Sequence, residues 1–360
     1  MKTISYSVIK VMLHYYNNKN EIMKNYQKKL LRLIHFIIIV NSACAQDIHF
    51  SQFYEAPLYR NPAFAGIVNG DIRVQAIFRS QWNSFVNAYK TGSLNAEYKM
   101  PVGKGEDFVT CGFEAFYDRA GSADLSTTIF TPVLNYHKSL SNERNMYLSA
   151  AFMGGIVARK FDRSRITTNN QYDGGGDGES LDKSQYSYWD GSAGVSFNSQ
   201  LGNNPANNVL IGVAYNHFNK PKNSFYENAN VLLDPKWVFS GDFKVGVTDD
   251  SWLIFHSDYS KQGTYKEIIG GMLYGMKVGP LFDNPDYSIE GGAFVRWNDA
   301  IIPVVKLDYH PFSVAFSYDI NISQLKTTSY GRGGAELSVT YVGFLNRGNS
   351  SLNAVHCPRF

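Results

Sequence analysis

Apolar and polar residues alternate along most of the chain after residue 70, in segments of about ten residues separated by turn residues. The segment after Asp71 shows the pattern, with one apolar and one polar set: Ile72, Val74, Ala76 and Phe78 against Arg73, Gln75 and Arg79. Successive side chains of a β-strand point to opposite faces. This alternation therefore predicts strands with one apolar and one polar face, and its repetition is typical of a transmembrane β-barrel.

Six further segments alternate as clearly: residues 109–118, 209–215, 237–247, 287–297, 312–320 and 335–341. Weaker alternation occurs near residues 90–100, 127–137, 146–158, 188–198, 252–259, 265–276 and 301–309. The sequence therefore predicts an all-β fold, a transmembrane antiparallel barrel of roughly fourteen strands, an even number as in bacterial barrels. The barrel would span residues 71–343, with a short periplasmic or plug segment before it and a tail over residues 344–360.

The lengths of the connections predict an orientation. The two longest, residues 159–187 and 218–236, follow the fifth and seventh predicted strands, whereas the tight turns at 248–251 and 310–311 follow even-numbered strands. In outer-membrane barrels the long loops are extracellular and the short turns periplasmic. We therefore expect the first strand to start at the periplasmic side. The alternative, a soluble β-sandwich, also alternates but sets no rule for which loops are long.

The N-terminus has the pattern of an export signal. A basic stretch after Met23 is followed by an apolar run over residues 33–40 and by Ala43-Cys44-Ala45, the arrangement of a signal peptide with its cleavage site. The sequence predicts a signal peptide over residues 23–45, cleaved after Ala45, and a start-site artefact over residues 1–22. Lipidation at Cys44 is the weaker alternative. With the barrel pattern, this predicts an outer-membrane location.

Composition narrows the function. The chain has 24 Tyr, 24 Phe and 31 Gly but only 18% charged residues. Its net charge is +3, and the basic residues are scattered among the acidic ones. Aromatic residues favour strands, and the scattered charge gives no support for nucleic-acid binding. No metal-ligand spacing or cofactor motif is present, so we expect no cofactor.

The predicted polar faces carry charges of both signs, which argues against a one-sign ion filter. They are Arg73, Arg79, Glu97, Lys99, Glu114, Asp242, Lys244, Glu290, Arg296, Lys306, Asp308 and Glu336. Such a set fits a plugged or cross-linked lumen. Residues 46–70, which precede the first strand, are rich in aromatic residues and either fold into the lumen or pack beneath it; the pattern does not choose between the two.

Two patterns invite a chemical interpretation. His256 and Asp258 lie on one face of a predicted strand and could form an acid–base pair, but no nucleophile motif accompanies them, so we do not predict an enzyme. The glycine-rich run over residues 173–179 lacks the ligand positions of a calcium loop and is interpreted as a flexible outer loop.

Both ends of the mature chain resemble one family. The stretches QDIHFSQFYEAPLYRNPAFAG (46–66), FRSQW (78–82), SYDINISQL (317–325), GGAELSVTY (333–341) and the terminal CPRF resemble the PorP/SprF membrane proteins of the type IX secretion system of Bacteroidetes. The residues that carry the resemblance are Phe50, Ser51, Gln52, Asn61, Pro62, Gly66, Arg79, Trp82, Tyr318, Asp319, Gly333, Gly334, Glu336, Cys357 and Pro358.

The resemblance implies an outer-membrane barrel of the secretion and gliding system that binds or tethers an exported adhesin through its type IX C-terminal domain. Other secretion components and outer-membrane lipid would be further partners. We expect the outer loops to meet the cargo through aromatic residues, namely Tyr172, Tyr186, Tyr188, Phe225 and Tyr226. The N-terminal segment and the tail, through Arg359 and Phe360, would face periplasmic partners. The alternative function is a transporter or porin for small solutes.

Overall fold

The computed structural model describes residues 48–81, 89–103, 105–167, 169–172, 174–175, 183–226, 230–279, 287–323 and 332–345. Four of the sequence predictions lie outside these residues: the leader with its cleavage site, the tryptophan of the FRSQW motif, most of the glycine-rich run, and the terminal CPRF.

Fourteen antiparallel strands form the fold. They are β1 (Ile72–Gln81), β2 (Tyr89–Pro101), β3 (Phe108–Ala120), β4 (Leu125–Ser141), β5 (Met146–Lys160), β6 (Gln185–Gln200), β7 (Asn208–Asn216), β8 (Lys236–Thr248), β9 (Ser251–Gln262), β10 (Tyr265–Val278), β11 (Tyr287–Arg296), β12 (Ala300–Tyr309), β13 (Phe312–Asn321) and β14 (Arg332–Gly343).

The sheet closes on itself, because β1 pairs with β14 from Ile72 opposite Gly343 to Gln81 opposite Gly334. Every other strand pairs with its neighbours in sequence. Closure pairs the edge strands, which is the only way for a sheet to satisfy its backbone hydrogen bonds within lipid. The predicted all-β barrel of about fourteen strands is confirmed.

The alternation of the sequence becomes an outside and an inside. Apolar side chains point outward and are exposed, such as Phe152 at 70% and Ile156 at 53%. The intervening polar side chains point into the lumen and are buried, as Gln75, Glu114 and Asn135 are. This is the reverse of a soluble protein and matches a barrel with an apolar outer band. Among the described residues no helix is long and apolar enough to cross a membrane.

The longest connections follow the predicted parity. They run between β5 and β6 and between β7 and β8, both after odd-numbered strands. The β8–β9 and β12–β13 turns, after even-numbered strands, contain two residues each, and so does the β9–β10 turn, which follows an odd-numbered strand. We therefore define the end of the barrel with the long loops as extracellular. The β5–β6 loop carries a short helix, α2 (Asn169–Tyr172), after a 3-10 turn over Arg163–Arg165.

Residues 48–71, called the plug below, lie inside the barrel. The plug contains 3-10 turns at Phe53–Glu55 and Pro62–Phe64 and a one-turn helix, α1 (Pro57–Arg60). Prolines stand at the first position of α1 and of the second turn, where the missing N–H has no partner to lose. The side chain of Asn61 caps that turn by accepting a hydrogen bond from the N–H of Ala63 at 2.8 Å.

The plug runs from the extracellular end of the lumen to the periplasmic end. Its first residues contact strand residues near the extracellular end, since His49 lies 3.7 Å from Glu267 at the start of β10. Its last residues contact the opposite end, where the N–H of Asp71 donates to Gly343, the last residue of β14. The structure thus settles the open choice in favour of the lumen. We expected this segment to face periplasmic partners. In the structure, charged side chains hold its first turn at the extracellular end of the lumen.

Candidate functional site: the plugged lumen and the outer loops

A carboxylate of the last strand holds the first turn of the plug. Glu336 on β14 accepts hydrogen bonds from the backbone N–H groups of Ser51 and Gln52, both at 2.7 Å, and from the guanidinium of Arg79 on β1. Ser338 donates to the side-chain oxygen of Gln52 at 2.7 Å. The carboxylate of Glu336 is therefore paired and fully hydrogen-bonded, which a buried charge requires.

Two arginines and an aspartate extend this network across the barrel. Asp319 on β13 lies 3.0 Å from Arg79 and 2.7 Å from Arg296 on β11. Both guanidinium groups also donate to the hydroxyl of Ser51, at 2.6 and 3.1 Å. All of these side chains are nearly inaccessible to solvent. Together with Glu336, the network joins the plug to four strands, β1, β11, β13 and β14.

The residues that carry the family resemblance lie at the two ends of the chain. The structure brings five of them into contact: Ser51, Gln52, Arg79, Asp319 and Glu336. Of the others, Tyr318 points outward and is 37% exposed, while Phe50 packs edge-on against Phe116 inside the barrel. These five family residues thus hold the first turn of the plug in place.

A second cluster forms in the middle of the lumen around Arg60, the last residue of α1. Its guanidinium makes two hydrogen bonds of 3.0 Å to Asp242 and three of 2.7–3.1 Å to Asp258. The guanidinium carbon also lies 5.0 Å from the ring centre of Phe53 and 5.1 Å from that of Phe64. Charge-assisted forked pairs of this kind are the strongest hydrogen bonds in proteins.

The predicted acid–base candidates belong to this cluster. His256 is 2.9 Å from Asp242 through its Nδ1 atom, and its ring stacks on Tyr54 at 4.6 Å between centres. Asp258 is bonded to Arg60 instead of to His256. Both side chains are buried under the plug. His256 and Asp258 share a strand face, but they do not form an acid–base pair, because His256 contacts Asp242 and Asp258 contacts Arg60.

The periplasmic end of the plug is anchored by backbone contacts. Gly66 donates its N–H to Glu97 at 2.7 Å, and Glu97 in turn is bonded to Arg73. The amide of Asn135 donates to the carbonyls of Ala63 and Ala65 at 2.9 and 2.8 Å. The hydroxyl of Ser196 also donates to the carbonyl of Ala63, and His137 Nε2 lies 2.8 Å from that of Ala65, so strand side chains satisfy the buried carbonyls of this irregular segment.

Sequence reasoning missed two charged residues of the plug, Glu55 and Arg60. Glu55 pairs with Lys306 at 2.8 Å and accepts a hydrogen bond from Gln75 at 2.6 Å. The sequence did contain a signal for Arg60. The predicted lumenal residues include equal numbers of cationic and anionic side chains, and Asp258 and Asp319 then give an excess of carboxylates. This excess indicates that a cation from outside the predicted strands lies in the lumen.

The two long outer loops pack against each other over the extracellular mouth. Phe225 of the β7–β8 loop meets Tyr186 at 4.6 Å and Phe161 at 4.9 Å between ring centres, both edge-on. Asn223 accepts hydrogen bonds from Arg159, at 2.7 Å, and from the hydroxyl of Tyr186. Tyr188 stacks on Tyr186 at 6.0 Å. These residues form the outer aromatic cluster.

The five aromatic residues predicted to meet a partner from the outer loops divide into two groups, and the structure places Tyr186 and Tyr188 in β6 instead of in a loop. Tyr186, Tyr188 and Phe225 belong to the outer aromatic cluster, whereas Tyr172 and Tyr226 point into solvent with exposures of 94% and 50%. Arg359 and Phe360 lie outside the described residues. Among the residues that the structure describes, no group of three metal-binding side chains is placed to hold an ion.

The closed, lipid-facing barrel with paired charges inside defines this protein as an outer-membrane β-barrel with a plugged lumen. A family model described as the type IX secretion system membrane protein PorP/SprF matches residues 42–341. The chain therefore belongs to the PorP/SprF family, as the motifs at its two ends indicated. This family is one of secretion-system membrane proteins rather than of enzymes. No curated protein matches the chain.

Solved outer-membrane barrels resemble the fold distantly. CdiB from Acinetobacter baumannii is 8% identical with a TM-score of 0.43, and the match covers 75% of this chain and 60% of CdiB. The translocator domain of autotransporter NalP from Neisseria meningitidis is 9% identical over 75% and 87% of the two chains, with a TM-score of 0.38. A mutant of the monoaromatic hydrocarbon channel TodX is 9% identical over 80% and 93%, with a TM-score of 0.43. At these levels the likeness concerns the architecture alone.

Proposed function

We propose that this barrel is a binding scaffold of the type IX secretion system that holds an exported surface protein, an adhesin with a type IX C-terminal domain, at its extracellular face. The observation that carries the proposal is the plug, which fills the lumen with neutralised charges and leaves the outer loops as the functional surface.

The plug argues against solute transport as the main function. A conducting barrel needs a hydrated path lined by polar groups that are free to meet the solute. Here the lumenal carboxylates Asp242, Asp258 and Glu336 are engaged by the plug. Catalysis forms no part of the proposal, because His256 is covered and bound on both sides.

The outer loops have the composition of a binding surface. Tyr172 and Tyr226 are solvent-exposed aromatic side chains on loops held together by the outer aromatic cluster. Tyrosines in adaptable polar surroundings supply large contact area at a low entropy cost, and a few such residues carry most of the energy of an interface.

The proposal is tested by purifying the tagged protein from its native outer membrane in mild detergent and identifying the retained proteins by mass spectrometry. We expect a large surface protein with a type IX C-terminal domain among them. The double variant Tyr172→Ala/Tyr226→Ala should retain at least tenfold less of it. Tyr309→Ala, which removes a tyrosine 60% exposed at the periplasmic end of β12, is the matched control and should retain the wild-type amount. Retention of lipid or periplasmic factors alone would contradict the proposal.

A further inference from the structure

Glu114, on the lumenal face of β3, differs from the paired carboxylates of the lumen. Its side chain is 2% exposed and accepts a hydrogen bond from the hydroxyl of Ser93 at 3.2 Å. Within the described part of the chain, no cationic side chain pairs with it, and the nearby Glu97 carries the same charge and is engaged by Arg73. An ionised carboxylate that is buried without a counter-charge is strongly unfavourable. This position therefore requires a positive charge.

Asn95 lies directly opposite Glu114 in the β2–β3 ladder and is 1% exposed. A chain of hydrogen bonds that starts at the plug fixes the orientation of its amide group. Glu55 accepts a hydrogen bond from the amide nitrogen of Gln75 at 2.6 Å. The oxygen of Gln75 in turn accepts one from the amide nitrogen of Asn95 at 3.4 Å. The amide oxygen of Asn95 therefore points away from Gln75, and it has no donor among the residues that the structure describes.

Several oxygen atoms thus share one part of the lumenal wall. Directly opposite residues on one face of an antiparallel pair have Cβ atoms about 5 Å apart, so the Asn95 oxygen and the Glu114 carboxylate are neighbours, and both are acceptors. The hydroxyls of Ser93 and of Thr131, which lies opposite Glu114 on β4, belong to buried side chains of the same face. A proton on Glu114 would satisfy a single one of these oxygens, whereas a metal cation contacts several at once.

We infer that Glu114 and Asn95 bind a monovalent cation of the size of Na⁺, with the hydroxyls of Ser93 and Thr131 in its shell. Hard cations take oxygen ligands, and divalent ones recruit several carboxylates. One carboxylate among neutral oxygens matches a single positive charge. The ion supplies the counter-charge of Glu114 and a partner for the Asn95 oxygen. Through Gln75 and Glu55 it also supports the plug.

The test compares urea unfolding of the intact protein in lipid vesicles in sodium, potassium, calcium and choline chloride at one ionic strength. A ligand that binds only the folded protein raises the unfolding midpoint with the logarithm of its concentration. We expect the midpoint to rise with Na⁺, to rise with K⁺ only at concentrations at least tenfold higher, and not to rise with choline. The readout is a difference between salts for one variant, so a general loss of stability does not affect it.

Three variants locate the ion. Glu114→Gln keeps the size of the side chain but removes its charge, and should abolish the difference between sodium and choline chloride. Asn95→Asp adds a second carboxylate and should transfer the response from Na⁺ to Ca²⁺. Glu290→Gln is the matched control, because Glu290 is a buried lumenal carboxylate that accepts a hydrogen bond from Trp252 at 3.0 Å. It should keep the wild-type difference between the two salts.

Equal midpoints of the wild type in sodium and choline chloride would show that a proton neutralises Glu114 and would overturn the inference. A sodium response that survives in Glu114→Gln would place the ion elsewhere, and an Asn95→Asp variant that responds as the wild type does would remove Asn95 from the site. Either result would also overturn it. None of these outcomes depends on the proposed cargo.

Discussion

Arg60 shows most clearly how single residues hold the plug in the lumen. Its side chain is only 4% exposed and satisfies two carboxylates, Asp242 and Asp258, that come from neighbouring strands. Breaking a buried pair is costly because it leaves a charge without a partner, whereas the same charge at a surface matters little. The buried charges of the plug should therefore be far more sensitive to mutation than the rim charges.

We predict that Arg60→Met lowers the free energy of unfolding by about 3–5 kcal/mol, because two buried carboxylates lose their cation. Arg165→Met is the matched control. Its side chain is 53% exposed and bridges Asp124 and Asp162 at the surface, so the loss should stay below about 1 kcal/mol. Urea unfolding in lipid vesicles, followed by tryptophan fluorescence, measures both. Equal losses would contradict the role of Arg60 in holding the plug.

Gly66 lies where the plug packs closely against β3. It has a positive φ of 81°, and a Cβ there would lie 2.0 Å from the hydroxyl oxygen of Thr110, a buried strand residue. Gly103 has a similar φ of 74°, but a Cβ there would meet nothing within 4 Å. Both alanine variants pay the backbone strain, and only Gly66→Ala also overpacks the plug.

We therefore predict that Gly66→Ala destabilises the protein by about 1–3 kcal/mol more than Gly103→Ala does, the usual cost of overpacking. The same unfolding measurement compares the two variants. If they lose the same free energy, the close packing of the plug against β3 does not contribute to stability.

Asp107, in the turn between β2 and β3, gives a pH dependence. Hydrogen bonds from Lys138, the hydroxyl of Tyr136 and the N–H of Ser139 hold the pKa of Asp107 at about 2, below its usual value. Because the pKa of Asp107 is lower in the folded state than the unfolded value of about 3.9, the ionised carboxylate stabilises the fold at pH values above about 3.9. This contribution is lost as the pH falls towards 2. Only the ionised form of the Asp107 carboxylate makes this contribution to stability.

The stability difference between the wild type and Asp107→Asn should thus be constant from pH 7 to pH 5 and shrink between about pH 4 and pH 2. Thermal unfolding across this range measures it. A difference that grows as the pH falls would have the opposite sign to the one expected and would contradict the assignment.

At the scale of elements, alternation predicted the strands because one face meets lipid and the other the lumen. Arg73, Arg79 and Glu336 were placed on the correct face by parity alone. Parity does not say which residue lies across the lumen, so the pairing of Glu336 with the plug could not be predicted. The plug itself has no period, since it consists of single turns such as Phe53–Glu55 and α1, whose conformation depends on the surrounding barrel.

The direction of the plug leads to an accessibility prediction. In a background with Cys111 and Cys357 changed to serine, His49→Cys should react on intact cells with a maleimide too large to cross the outer membrane. The His49 side chain is 27% exposed beside the extracellular end of β10. Asp249→Cys, in the exposed periplasmic turn between β8 and β9, should react only after the membrane is permeabilised. The opposite labelling pattern would reverse the orientation of the plug.

At the scale of the whole molecule, the barrel is a closed wall around a segment of its own chain. Strand number, loop parity and family could be predicted from the sequence, because each depends on local pattern or on motifs. The position of the plug in the lumen could not be predicted, since it depends on contacts between residues more than 200 positions apart, such as the one between Gln52 and Glu336. We propose that the plug makes the protein a scaffold rather than a channel.

The most direct test is the conductance of the intact protein reconstituted in planar bilayers, with solute-induced liposome swelling as the parallel readout. We predict no steady open conductance and no swelling above protein-free vesicles, because the plug and its ion pairs fill the lumen. A stable conductance in the range of open porins, or rapid swelling with small sugars, would show an open lumen and contradict the account.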